Sequence, residues 1–186
     1  PYKYGAQPWG IVKRISISLS TIADIMIVYT AIRVLLGTGR IMLDGQPKEE
    51  QETVGSLLRQ PWGNEIIILI GLIIILTAIT QLLYGVTKGY RERIDMDRFR
   101  RSIKILTHIL AWSGYFARGI ILGIIGFFLV KSAITGNVKV VVNTDKAFDF
   151  IGDHIGHLYF ILVALGTICY GIFMIILGIA YDVDKD

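Results

Sequence analysis

Residues 66–83 read IIILIGLIIILTAITQLL, a run without a charge in which only Thr77, Thr80 and Gln81 are polar. A stretch this long and this apolar satisfies the length that a helix needs to cross a bilayer core. Comparable runs occur three more times. We therefore read four transmembrane spans, over residues 15–36, 66–86, 109–133 and 158–180, each near the ~20 residues of a bilayer crossing. Composition agrees. The chain has 186 residues, 53% of them hydrophobic, 18% charged, and its mean hydropathy is +0.59. A soluble domain of this size carries more charge.

Outward from the second span, the connections differ in charge. The link to the third span holds Lys88, Arg91, Arg93, Arg98, Arg100, Arg101 and Lys104. The loop over residues 37–65 offers only Arg40, Lys48 and Arg59, against five acidic residues. The last connection mixes Lys139 and Lys146 with Asp145, Asp149 and Asp153. Lys and Arg accumulate on the cytoplasmic side, so the basic link belongs inside and both termini with it. Lys3, Lys13 and Arg14 agree. The net charge of +4 thus orients a membrane protein and does not point to nucleic acid. The single cysteine, Cys169, excludes an intrachain disulfide. Residues 15–36 are too long for the apolar region of a signal peptide.

The two halves look alike. Pro61-Trp62-Gly63 precedes the second span as His154-Ile155-Gly156 precedes the fourth, and Gly85 and Gly178 fall at matching places. Arg33 and Gly37 close the first span as Lys131 and Gly136 close the third. Each half reads as helix, outer loop, short amphipathic approach, helix. Both halves start inside, which makes the repeat parallel. The fold expected is all-α and polytopic, with a cytoplasmic segment over residues 1–14 and two-helix units over 15–97 and 98–186.

Three elements carry a family resemblance. They are Leu58-Arg59-Gln60-Pro61-Trp62-Gly63, Gly114-Tyr115-Phe116-Ala117-Arg118-Gly119 and Leu165-Gly166-x-x-x-Tyr170-Gly171. The chain resembles the prokaryotic membrane family called domain of unknown function 1206, whose members are typically three tandem two-helix units. The resemblance is best over residues 55–182. It departs from the family in showing two units, and in having His154 where the pattern has proline. It implies a fold and a bacterial cytoplasmic-membrane address, and no activity.

Candidate sites are few. Asp24, in the middle of the first span, is a carboxylate at membrane depth, where a partner or a water-filled cavity is required. It reads as a proton or ion site, or as a packing contact to Ser20, Thr21 or a neighbouring helix. Arg118, placed near the cytoplasmic start of the third span, reads as an ion-pair partner of Asp24, a lipid-phosphate contact, or an arginine snorkelling to the interface. Gln81, with Thr77 and Thr80, is the only polar group of the second span. Arg33 and Lys131 read as outward snorkels or anion contacts. Asp153, His154 and His157 form a sparse cluster. In a continuous helix the two histidines share a face, yet nothing in the sequence completes a four-ligand zinc site. His108 falls on the other side of the membrane. Gly119, Gly123, Gly126, Gly166 and Gly171 are read as helix-packing positions, because small residues let backbones approach in lipid. Trp62, Trp112 and Tyr159 fit interfacial anchoring.

No serine-histidine-aspartate triad, phosphate loop or haem motif is present. The expectation is a non-catalytic accessory or scaffolding subunit with bound lipid and no metal, partnered by the bilayer, other membrane subunits or itself. The alternatives are a small transporter or channel using Asp24, Arg118 and Gln81, and an enzyme or metal-binding module at the outer face using Asp153, His154 and His157.

Overall fold

A computed structural model of the chain describes residues 47–89 and 101–180. Within them are five α-helices and no strand: α1 (Lys48–Leu58), α2 (Gly63–Thr87), α3 (Arg101–Thr135), α4 (Thr144–Phe150) and α5 (His157–Ala180). Three of these, α2, α3 and α5, are long and apolar enough to cross a membrane. They contain the spans read at 66–86, 109–133 and 158–180. The span at 15–36, with Asp24 and Arg33, lies outside the described residues.

The central helix is α3. It packs along α2 on one side and α5 on the other, and a third of its most apolar window is buried, against 22% for α2 and 17% for the last helix. At about 1.5 Å per residue α3 is about 52 Å long, well beyond a ~30 Å hydrocarbon core. Hydropathy marked the apolar part only. The start at Arg101 extends the helix through Lys104 and His108, polar residues that suit a helix standing clear of lipid.

The short helices sit at one end of the bundle. Glu49 and Glu50 occupy the first turn of α1, where carboxylates favour the positive end of the helix dipole. A tight corner follows. The Gln60 amide donates to the Leu57 carbonyl at 2.9 Å, and the Gly63 amide to the Gln60 carbonyl at 3.0 Å. A side chain at Gly63 would strike the Leu57 carbonyl oxygen, so glycine is required there. Beyond α3, Gly136 takes a φ of +62° and ends the helix. Asn143 then caps α4, its side chain accepting from the Lys146 amide at 3.1 Å. A π-helical turn, Ile151–Ile155, continues α4 and is stopped by Gly156 at φ +131°. The halves also touch. Asn143 Nδ2 donates to Glu50 Oε1 at 3.3 Å, and Gln51 Nε2 donates to the Lys139 carbonyl at 3.5 Å.

The outside of the bundle is aliphatic. Leu69, Leu72, Leu76, Ile79 and Leu83 of α2 are exposed, as are Leu162, Leu165, Ile168, Ile172 and Ile175 of α5. Exposed rows of this kind on a monomer mark a surface meant for lipid or for another apolar surface.

Candidate functional site

The seam between α3 and α5 holds Arg118, the one charged side chain among the described residues that stands in the middle of the bundle. Arg118 stands at the midpoint of Arg101–Thr135, with equal lengths of helix on either side. The helix begins well before the span read at 109–133, so the residue placed near the start of that span is central in the helix. The apolar stretch between His108 and Lys131 is interrupted by no other charge. Its guanidinium lies over the Tyr170 ring, with Cζ 4.7 Å from the centroid. Instead of reaching for an interface, the cation is turned onto an aromatic face of the neighbouring helix. Such a contact is worth about 2 kcal/mol when desolvated.

Tyr170 belongs to an aromatic cluster centred on Tyr115. The Tyr115 ring meets Tyr84 at 5.0 Å, Tyr170 at 5.6 Å and Phe173 at 5.6 Å, all edge-on. Edge-on pairs place the positive ring edge against a neighbour's negative face. Because Tyr84 comes from α2, Tyr115 from α3 and Tyr170 and Phe173 from α5, the cluster ties all three long helices together. Gln81 is buried one turn from Tyr84. The crossing of Ala78 by Gly119 and of Gly85 by Tyr115 puts Gln81 at the depth of Arg118. The hydroxyls of Thr77 and Thr80 are engaged within α2, donating to the carbonyls of Ile73 and Thr77 at 2.8 Å.

The glycines explain why the helices come so close. A Cβ on Gly114 would sit 2.6 Å from Tyr170 Cα and 2.8 Å from its nitrogen. One on Gly166 would lie 2.6 Å from Ala117 Cβ. On the other seam, a Cβ on Gly126 would lie 3.0 Å from the Gly71 carbonyl oxygen, and one on Gly119 2.7 Å from the Leu82 side chain. Gly123 is looser, with only Ala78 Cβ at 3.9 Å, and Gly171 has nothing within 4 Å and lies exposed. Of the residues picked as packing positions, Gly119, Gly126 and Gly166 thus stand in close contacts, Gly123 in a loose one, and Gly171 faces open space. Gly71 and Gly114 were not singled out for packing. Gly71 stands alone in an aliphatic run, and its partner is visible only once α2 and α3 are aligned.

At the end carrying the short helices, His154 and His157 do not share a helical face. Gly156 interrupts the chain between them, and each ring stacks on a different phenylalanine, His154 on Phe150 at 4.7 Å and His157 on Phe160 at 5.8 Å. Among the described residues no group of three or more His, Cys, Asp or Glu, Asp153 included, is close enough to hold a metal. Trp62 and Tyr159 are exposed at the starts of α2 and α5, and Trp112 stacks on Phe116 at 5.6 Å. Lys131 lies over the Phe128 ring at 5.6 Å.

Comparison with known proteins bears on this arrangement. The model of the family described as Domain of Unknown Function (DUF1206) matches residues 113–180. That stretch begins beside Gly114, takes in Arg118 and the corner at Gly156, and ends with α5. Uncharacterized protein YxxB of Bacillus subtilis (strain 168) is 30% identical over 177 residues, covering 95% of this chain. The chain spans 62% of the length of that curated relative. No solved structure matches the chain. The seam of Gly114, Arg118, Gly166 and Tyr170 lies inside the stretch that is similar to the DUF1206 family.

Proposed function

We propose that this protein is a non-catalytic, multi-pass subunit of the bacterial cytoplasmic membrane that packs against other membrane proteins. In this reading residues 15–36 add a fourth span, both termini lie in the cytoplasm, and the two halves are parallel two-helix units. The matching order of short helix, glycine corner and long helix in α1–α2 and α4–α5 supports the repeat. The basic composition of residues 88–104 supports the orientation.

One observation carries the scaffolding role. Among the described residues, several polar groups at membrane depth are used as structural contacts, while the exposed faces are aliphatic. Arg118 is turned onto Tyr170, and the hydroxyls of Thr77, Thr80 and Thr167 donate to carbonyls of their own helices. In lipid, each such contact offsets part of the cost of a polar group. The exposed rows of α2 and α5 remain available for association through packing. Affinity purification from native membranes in mild detergent tests this. A second membrane protein at fixed stoichiometry is expected, and a lone monomer overturns the reading.

A second reading, a small transporter or proton-conducting protein, is favoured by the depth of Arg118 and Gln81. It predicts uptake in proteoliposomes that disappears in Asp24→Asn and in Arg118→Met. Uptake equal to empty vesicles removes it.

A further inference from the structure

The seam between α2 and α3 is tight at Gly71 and Gly126 and open beside Gly123. There an apolar furrow of about 320 Å³ runs along the surface, lined by Ile75, Ile79 and Leu82 of α2, by Ile120 and Phe127 of α3, and by Phe150 of α4. It exists because Gly123 presents no side chain and Ala78, across from it, presents only a methyl group. Its length along α3 from Gly119 to Phe128 is about 14 Å, half of a ~30 Å hydrocarbon core and so the depth of one leaflet.

The end of the furrow is defined. Phe150 meets Phe128 edge-on at 5.2 Å and closes the groove where the short helices begin. At that same end the ammonium group of Lys131 lies 5.6 Å from the centroid of Phe128, a furrow residue, and the exposed His154 ring stacks on Phe150. The nearby carboxylate of Asp149 is held by Lys146 at 3.3 Å. An apolar groove of single-leaflet length with a cation at its mouth matches an acyl chain joined to an anionic headgroup.

We propose that the α2–α3 furrow binds one anionic phospholipid, its acyl chain along Gly123 and its phosphate at Lys131. That the lipid comes from the outer leaflet rests on the orientation proposed above. The site itself is independent of the scaffolding role, since it is measured on the isolated protein. Bilayer lipid gains little from burial alone, so selectivity comes from fit and charge.

Native mass spectrometry of the detergent-purified full chain, titrated with phosphatidylglycerol or phosphatidylcholine, tests the proposal. Wild-type protein should show a saturable single phosphatidylglycerol adduct. Gly123→Leu, which fills the furrow, should weaken it by more than about fivefold. Lys131→Gln, on an exposed side chain outside the glycine seams, should cut the preference for phosphatidylglycerol over phosphatidylcholine by about fivefold, the effect of one basic residue near a headgroup. Ile172→Phe, on the exposed face of α5, should change neither. Unsaturable adducts, equal losses in Ile172→Phe and Gly123→Leu, or an undiminished preference in Lys131→Gln would overturn it. So would a Gly123→Leu change that splits an oligomer and leaves lipid retention intact, since a helix of another chain would then be the occupant.

Discussion

The two seams along α3 are built from the same small residues and do different things. Toward α5, glycine brings backbone against backbone, and the space so shaped is filled by Tyr115, Tyr170, Phe173 and the Arg118 cation. Toward α2, the helices approach closely at Gly71 and Gly126 and again at Gly119, and between these crossings they leave the furrow at Gly123. The difference teaches that a glycine in a membrane helix has two uses. It brings a neighbour close where something opposes it, and it makes a groove where nothing does.

The largest effect should come from filling the first kind. Gly114→Leu drives a side chain into the Tyr170 backbone, which cannot move aside without opening the seam. We expect a loss of about 3 kcal/mol, at the upper end for overpacking, read by thermal or denaturant unfolding in detergent. An unchanged midpoint would mean that the two helices are not in register as described.

Next is the cation. Arg118→Leu should cost about 2 kcal/mol, and Arg118→Lys should recover only part of that, because an ammonium lacks the planar face that lies on Tyr170. Full recovery by lysine would show that charge alone matters. Smaller again is Gly71→Ala. Its methyl group would meet Val130 Cγ2 at 2.5 Å and the Gly126 carbonyl at 3.2 Å. The valine terminus can rotate away, so the net loss should be about 1 kcal/mol. The smallest change separates the two kinds of glycine. Gly123→Ala meets only Ala78 Cβ at 3.9 Å, and the gain in helix propensity should leave stability unchanged or raised by up to about 1 kcal/mol. A loss as large as that of Gly71→Ala would erase the distinction.

Much of this architecture is legible in the sequence, because a bilayer demands long apolar runs and hydropathy detects them. The spans at 66–86 and 158–180 differ from α2 and α5 by a few residues. The span at 109–133 falls short of α3 because a polar helical extension leaves no trace in hydropathy. The aromatic cluster escaped notice for another reason. Tyr84, Tyr115 and Tyr170 are far apart in the chain, and only the rotation of each helix about its axis brings them together. The pairing of His154 with His157 rested on a continuous helix, which the positive φ of Gly156 breaks.

The central claim is that α3 crosses the membrane with the Arg118 contact in its middle, held between two other spans. Cysteine accessibility along α3 tests it most directly, in a Cys169→Ser background in intact cells. With a membrane-impermeant maleimide, Ile134→Cys should be labelled from outside, His108→Cys only after the cells are opened, and the exposed but lipid-facing Phe127→Cys under neither condition. Labelling of Phe127→Cys from either side, or of positions 108 and 134 from the same side, would contradict the account.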